Sequence, residues 1–303
     1  MNIGILLGFL AACAYGSAAV FARIGLKSLP AGAVTLVGLW AGFIFLTITI
    51  FCLNQHRDLL DVGVSSLSLM ALLGVTGFCL GRFSFYRGIT YIGVARATPI
   101  VASNPLVSTL LAITLGGEKL HFLTGIGTIA IIGGISLILS ESLSEKIQTV
   151  KKTDKTTLII GYFISLVASI CYGIAGFLGK ILVNESITPI VSTIYATFFA
   201  SIVLGILVRK EIKSIAKAGF KSIMCASLAG IGASFALTFY FWGVELSSLT
   251  TVAPLIALQA LVAMTLTHLF LQKLERITPK IFFGTFLVAI GVAFIIIASN
   301  MDK

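Results

Sequence analysis

Ten stretches without a charged side chain constrain this chain more than any other feature of its sequence. They cover 1–22, 28–56, 62–81, 97–117, 120–140, 156–179, 186–208, 222–244, 246–272 and 281–301, and the shortest has 20 residues. About 20 apolar residues in a helix cross a hydrocarbon core roughly 30 Å thick. The spacing therefore predicts ten transmembrane helices and an all-α integral membrane fold. A membrane barrel would need segments of about ten residues that alternate apolar and polar, and these runs do not alternate. Backbone in lipid must satisfy its own hydrogen bonds, which leaves the helix. Only 11% of the chain is charged and 58% is hydrophobic, whereas soluble domains carry about 25% charged residues.

The 21 basic and 11 acidic residues give a net charge of +10, a balance that on a soluble domain would suggest nucleic acid. Here the basic residues stand in short loops between apolar runs, so the charge reads as topology and no nucleic-acid partner is expected. With alternating spans, one face receives Arg57, Lys119, Lys180 and Lys303, and the other receives the remaining seventeen of the 21 basic residues. Cytoplasmic loops carry the excess of Lys and Arg, so the count places the richer face inside and both termini outside. Cys13, Cys52, Cys79, Cys171 and Cys225 are scattered through apolar runs without paired spacing. They suggest neither a disulfide framework nor a metal site.

The segment 141–155 holds seven charges in fifteen residues and divides the runs five and five. It reads as a solvated linker between units 1–140 and 156–303. A shift of 157 residues matches Gly4 with Gly161, Tyr15 with Tyr172, Gly16 with Gly173 and Gly127 with Gly284, and sets Arg23 on Lys180. A shift of 155 matches Gly88 with Gly243 and Pro99 with Pro254. Order kept across a half-chain marks an internal repeat. A five-span unit ends on the face opposite its start, so its copy enters upside down. Two inverted-topology five-helix repeats around a central cavity are expected, with a site near the midplane reached by alternating access. Residues 3–22 lack a basic leader and have a counterpart at 160–179, so they read as a retained first span rather than a cleaved signal.

These residues resemble the ten-helix, EamA-like members of the drug/metabolite transporter superfamily. The resemblance rests on Ala14-Tyr15-Gly16-Ser17 followed by Arg23, on 95–105 leading to Gly117-Glu118-Lys119-Leu120, and on Pro254 with Leu274-Glu275-Arg276. Tyr15 and Tyr172 stand where Trp is usual, and Trp40 stands near a place where the second helix often has Arg. The resemblance implies export or exchange of small polar metabolites, typically amino acids, through a cavity lined by helices 1, 3, 4, 6, 8 and 9. It also implies cytoplasmic termini, opposite to the charge count.

Arg82 lies one residue past the third run and four before Tyr86, so both share a face if that helix continues to Gly88. An intramembrane Arg usually faces a cavity. The alternative is an early helix end, with Arg82 reaching lipid phosphates beside Arg87. Pro105 lacks the N–H that would bond the Val101 carbonyl, leaving that carbonyl either open to a ligand or part of a plain kink. Asn104 and Ser108, four apart, share a polar face beside it. Pro99 reads as tolerated in a first helical turn. Tyr15 and Tyr172 are either cavity walls or interfacial anchors. Gln259 needs a partner inside its run, a substrate or a neighbouring helix; His268, nine residues on, faces elsewhere and reads as packing. Tyr240 and Trp242, with Phe235, give the eighth helix an aromatic segment that either lines the cavity or packs. Gly4, Gly8, Ala12 and Gly16 form a stripe for close helix approach, and Glu118 and Glu275 read as caps rather than proton-coupling groups.

Small multidrug-resistance relatives of that superfamily use a Glu deep in the first helix, and 1–22 has none, which argues against cation antiport. Basic and neutral polar candidates suit a carboxylate or phosphate, which Arg holds with a fork of donors. The sequence is thus read as a secondary transporter, exporter or exchanger, of small carboxylate-bearing metabolites such as amino acids. It is expected in the cell inner (plasma) membrane as a monomer among lipids, without cofactor or metal. A flippase or carrier for a lipid-linked or phosphorylated sugar is the alternative within transport. An enzyme is not expected, since His56, His121 and His268 lie far apart without an acidic cluster.

Overall fold

The computed structural model describes residues 3–117, 122–144 and 155–271, together with 279, 280, 282–284, 286, 287, 290, 291 and 294. Among them there is no strand, and eight helices are long and apolar enough to cross a membrane. These are α1 (Ile3–Gly25), α2 (Ala31–Cys52), α3 (Val64–Ile92) and α4 (Val94–Thr114), then α6 (Lys155–Asn184), α7 (Pro189–Leu207), α8 (Phe220–Glu245) and α9 (Leu249–Phe270). Between the two sets lies α5 (Phe122–Ser144), which continues into the charged segment. The tenth run, Glu118 and Glu275 fall mostly or wholly outside the described residues.

Helices exceed the charge-free runs because cations are tolerated inside them. The third run stops at Gly81, yet α3 continues through Arg82 and Arg87 to Ile92, so the early-end alternative for Arg82 fails. Arg82 is 1% exposed and takes no part in a loop charge count. Lys180, counted above as a loop residue, is also helical, four residues from the end of α6. Gly93, at φ +82°, reverses the chain between α3 and α4, a conformation that suits a residue without Cβ. The α4 helix already begins at Val94, so Pro99 lies beyond the first turn, correcting its placement from sequence.

Helix contacts come in matched pairs under exchange of α1–α4 with α6–α9. Contacts of α1 with α8 and α9 answer to contacts of α6 with α3 and α4, and α2 with α8 answers to α7 with α3. The α2–α7 contact is its own counterpart. Small residues set these crossings, because helices in lipid associate by close packing rather than by hydrophobic drive. A Cβ at Gly16 would stand 2.8 Å from the Gln259 carbonyl, and one at Gly173 would stand 2.8 Å from the Asn104 carbonyl. Gly4 meets Gly243 on α8 in the same way. Even the helix ends correspond. Ser28 and Ser222 share a hydroxyl hydrogen bond of 2.5 Å, and at the equivalent place Ser66 donates to Glu185 at 2.6 Å. Outward faces carry Phe9, Ile44, Phe163 and Ile202, all exposed, as a lipid-facing surface requires. Trp40 belongs to this outer face, 45% exposed and edge-on to Phe43.

One pair of helices departs from the match. Within α3, residues Gly74–Arg82 form a π-helix, whereas α8 is α-helical throughout. Gly74 packs on Ala196 and Gly230 on Gly38, while Gly88 packs on Ser165 and Gly243 on Gly4. Gly74 and Gly88 on α3 are 14 residues apart, and Gly230 and Gly243 on α8 are 13 apart. The π-turn absorbs one residue that α8 does not have.

Candidate functional site

A cavity opens where α1, α3, α4, α6, α8 and α9 converge, with an empty space of ≈ 560 Å³ counted out to its open side. Its wall contains four pairs of equivalent residues: Tyr15 with Tyr172, Phe85 with Tyr240, Val101 with Ile256, and Asn104 with Gln259. Leu73, Phe78 and Leu237 add apolar surface. Of the described wall residues, none is acidic.

Local breaks position the two amides. The α4 helix stops at Val101 and restarts at Asn104 with Pro105 in its first turn; at the equivalent place α9 runs as a 3-10 turn, Ala253–Leu258, before α-helix resumes at Gln259. Ser103 ties the α4 break to α6 through Ser169, oxygen to oxygen 2.8 Å. The Val101 carbonyl is not open to a ligand, correcting the expectation from Pro105: Asn104 Nδ2 donates to it at 2.8 Å. The Asn104 side chain folds back to replace the bond that proline removed. Gln259 is 4% exposed, faces the cavity, and its amide has no hydrogen-bond partner among the described residues.

Other candidates sit off the wall. Ser108 is buried one turn along α4, outside the wall but beside the wall residue Gly176, and donates to the Pro105 carbonyl at 3.2 Å. Trp242 stacks on Phe239, 6.4 Å between centroids, and Phe239 continues to Phe235, which meets Phe45 of α2 at 4.9 Å. That stripe is helix packing; Tyr240, about half a turn away, faces the cavity. His268 is exposed at the end of α9 rather than packed.

Arg82 and Tyr86 lie immediately behind the wall, 1% and 2% exposed. The guanidinium carbon stands 4.2 Å from the centroid of Phe78. Tyr15, Tyr86 and Tyr172 are within its electrostatic reach. Both Nη1 and Nη2 are buried with no acceptor in full hydrogen-bond geometry among the described residues, while the Tyr172 hydroxyl stands close enough to interact with the guanidinium. Sequence reasoning missed Phe85 and Phe78. Phe85 could have been found, standing 155 residues before Tyr240, whereas Phe78 carries no signal in a chain with 22 phenylalanines.

A solved crystal structure of another protein has this fold, with a TM-score of 0.74 at 14% identity, covering 98% of this chain and 97% of that one. The uncharacterized transporter YyaM of Bacillus subtilis is 23% identical over 164 residues, which span 54% of this chain and 50% of YyaM. The EamA-like transporter family model matches twice in tandem, at 2–140 and at 159–297. The two matches are offset by the same 157 residues that superimpose Tyr15 on Tyr172, and by them this chain, a multi-pass membrane protein, belongs to the EamA-like transporter family.

Proposed function

We propose that the protein is a secondary transporter of ten helices, built as two inverted five-helix repeats, that moves small carboxylate-bearing metabolites such as neutral amino acids by alternating access. The observation that carries this reading is the set of four equivalent residue pairs around one cavity. A site built equally by both repeats is the arrangement that rocking of one repeat against the other exposes to either side. Arg82 supplies positive charge next to the wall, while amide and hydroxyl groups from Asn104, Gln259, Tyr15 and Tyr172 supply donors for an oxyanion. Aromatic faces accept an ammonium group and an apolar side chain. An amine without a carboxylate finds no described acidic partner on that wall. The protein works in the plasma membrane as a monomer on this reading.

Exchange in proteoliposomes tests it. Full-length protein in vesicles loaded with leucine should take up labelled leucine. It should not take up labelled isoamylamine, which keeps the side chain and ammonium but lacks the carboxylate. Equal uptake of both, or of neither, ends the carboxylate reading.

A further inference from the structure

Position 82 belongs to the cavity wall by repeat geometry but is withheld from it. Its equivalent on α8, Leu237, lines the cavity, as do the flanking equivalents Phe85 and Tyr240. Arg82 instead lies behind Phe78, whose ring occupies the wall with the guanidinium against it at 4.2 Å. The equivalent of Phe78 on α8 is Ala233 counted from Gly88 and Ser234 counted from Gly74, both buried and too small to cover a guanidinium. Ring and cation therefore form a covered pair in the first repeat alone among the described residues. Two buried terminal nitrogens, near the Tyr172 hydroxyl but without an acceptor in full hydrogen-bond geometry, leave that covered state costly, and one ring face compensates only part of a guanidinium's lost hydration. The pair also sits in the π-turn, with Gly77 before Phe78 and Gly81 before Arg82. A turn that holds one spare residue can change locally while the crossings at Gly74 and Gly88 stay fixed.

We infer that Phe78 is a lid over a latent oxyanion seat at Arg82. An entering carboxylate or phosphoryl group displaces the ring and pairs with Nη1 and Nη2, exchanging a cation–π contact for a forked, charge-assisted pair. This deepens the proposed function and rests on it for the identity of the oxyanion, but the lid itself is testable without any substrate.

The test is arginine modification by p-hydroxyphenylglyoxal on the full chain in lipid nanodiscs, mapped by peptide mass. Arg57, exposed in the loop after α2, serves as internal standard. Arg82 should react slowly in the wild type and at least about tenfold faster in Phe78→Ala. Should that variant not assemble, Phe78→Leu, closer in volume but without a ring, should still react about threefold faster. Equal Arg82 rates in wild type and an assembled variant would overturn the lid. Added leucine should protect Arg82 in the variant and isoamylamine should not. Protection by inorganic phosphate but not by leucine keeps the seat and assigns it to a phosphoryl group. Faster reaction with protection by neither keeps the lid and removes the oxyanion from it.

Discussion

The helices α3 and α8 occupy equivalent places, cross equivalent partners through glycines and contribute equivalent aromatic residues, Phe85 and Tyr240, to one cavity. Their chemistry nevertheless differs at one turn. Where α8 is continuous and presents Leu237, α3 carries a spare residue, a π-turn and a buried arginine behind a phenylalanine. Duplication supplies the scaffold, and the charge that a substrate would meet comes from one copy. A difference confined to one turn can be broken experimentally without disturbing the rest.

The largest effect is all or none and concerns the relation of the copies. Cysteines replacing Gln55, after α2, and Ala216, after α7, sit in equivalent loops; in a background without the native cysteines, an impermeant maleimide should label one of them in intact cells and the other only after lysis. By the charge count the Ala216 site should be the protected one, since its loop carries Arg209, Lys210, Lys213 and Lys217 while the other carries Arg57 with Asp58 and Asp61. Labelling of both from one side would end the inverted arrangement.

Deleting Thr76 gives α3 the 13-residue spacing of α8. Among the described residues the Thr76 hydroxyl bonds only to the carbonyls of Leu72 and Leu73 in its own helix, so the deletion removes no described tie to a neighbour. The variant should elute as folded protein yet lose transport, because the spare residue is what frees Phe78 and Arg82 to change places. An aggregated variant would instead assign the extra residue to packing.

Next come the equivalent side chains themselves. Arg82→Ala removes a charge-assisted bond of about 1.5–3 kcal/mol, so substrate affinity should fall roughly ten- to a hundredfold at equal expression. Leu237→Ala loses only apolar contact and should cost roughly fourfold where the substrate covers one methyl group, about 0.8 kcal/mol. Equal losses would make the asymmetry irrelevant to transport. Arg82→Lys keeps charge without the planar fork, so retained activity would indicate simple attraction rather than two-point recognition.

How much of this was legible depends on which physical signal each feature leaves. Spans were legible because charge is expensive in lipid, and the repeat was legible because small residues at crossings recur at fixed offsets. The length of α3 was not, since a buried Arg82 and a lipid-edge Arg87 look alike in sequence. Nor was the π-turn: in a helix apolar on all sides, one extra residue disturbs no hydrophobic period, and only the offset of 156 between Gly74 and Gly230 against 155 between Gly88 and Gly243 records it. The closure of the Val101 carbonyl by Asn104 depended on a turn that the proline alone did not specify.

Packing at the equivalent crossings should respond equally. Gly16→Ala and Gly173→Ala each place a methyl group 2.8 Å from a facing backbone carbonyl, Gln259 in one case and Asn104 in the other. Overpacking of this kind costs about 1–3 kcal/mol, and thermal unfolding in detergent should show similar drops for both. A drop in one alone would mean that the breaks in α4 and α9 differ in stiffness, despite their matched positions.

The smallest effect locates the substrate between the copies. Tyr15→Phe and Tyr172→Phe each remove one hydroxyl, worth about 0.5–1.5 kcal/mol where it meets a ligand, so KM should rise roughly two- to tenfold. A substrate centred between the repeats would feel the two losses equally. The cavity, however, is displaced toward α6: Ala175 and Gly176 line it, while their equivalents on α1, Ala18 and Ala19, are buried away from it. Phe78, which covers Arg82, follows Gly77, and Gly77 packs on Ala175 of α6. A substrate drawn toward that side rests nearer Tyr172, and Tyr172→Phe should raise KM more than Tyr15→Phe. Equal changes would centre the substrate and detach it from Arg82, and a larger change at Tyr15 would place it on the side of the cavity where the structure offers least room.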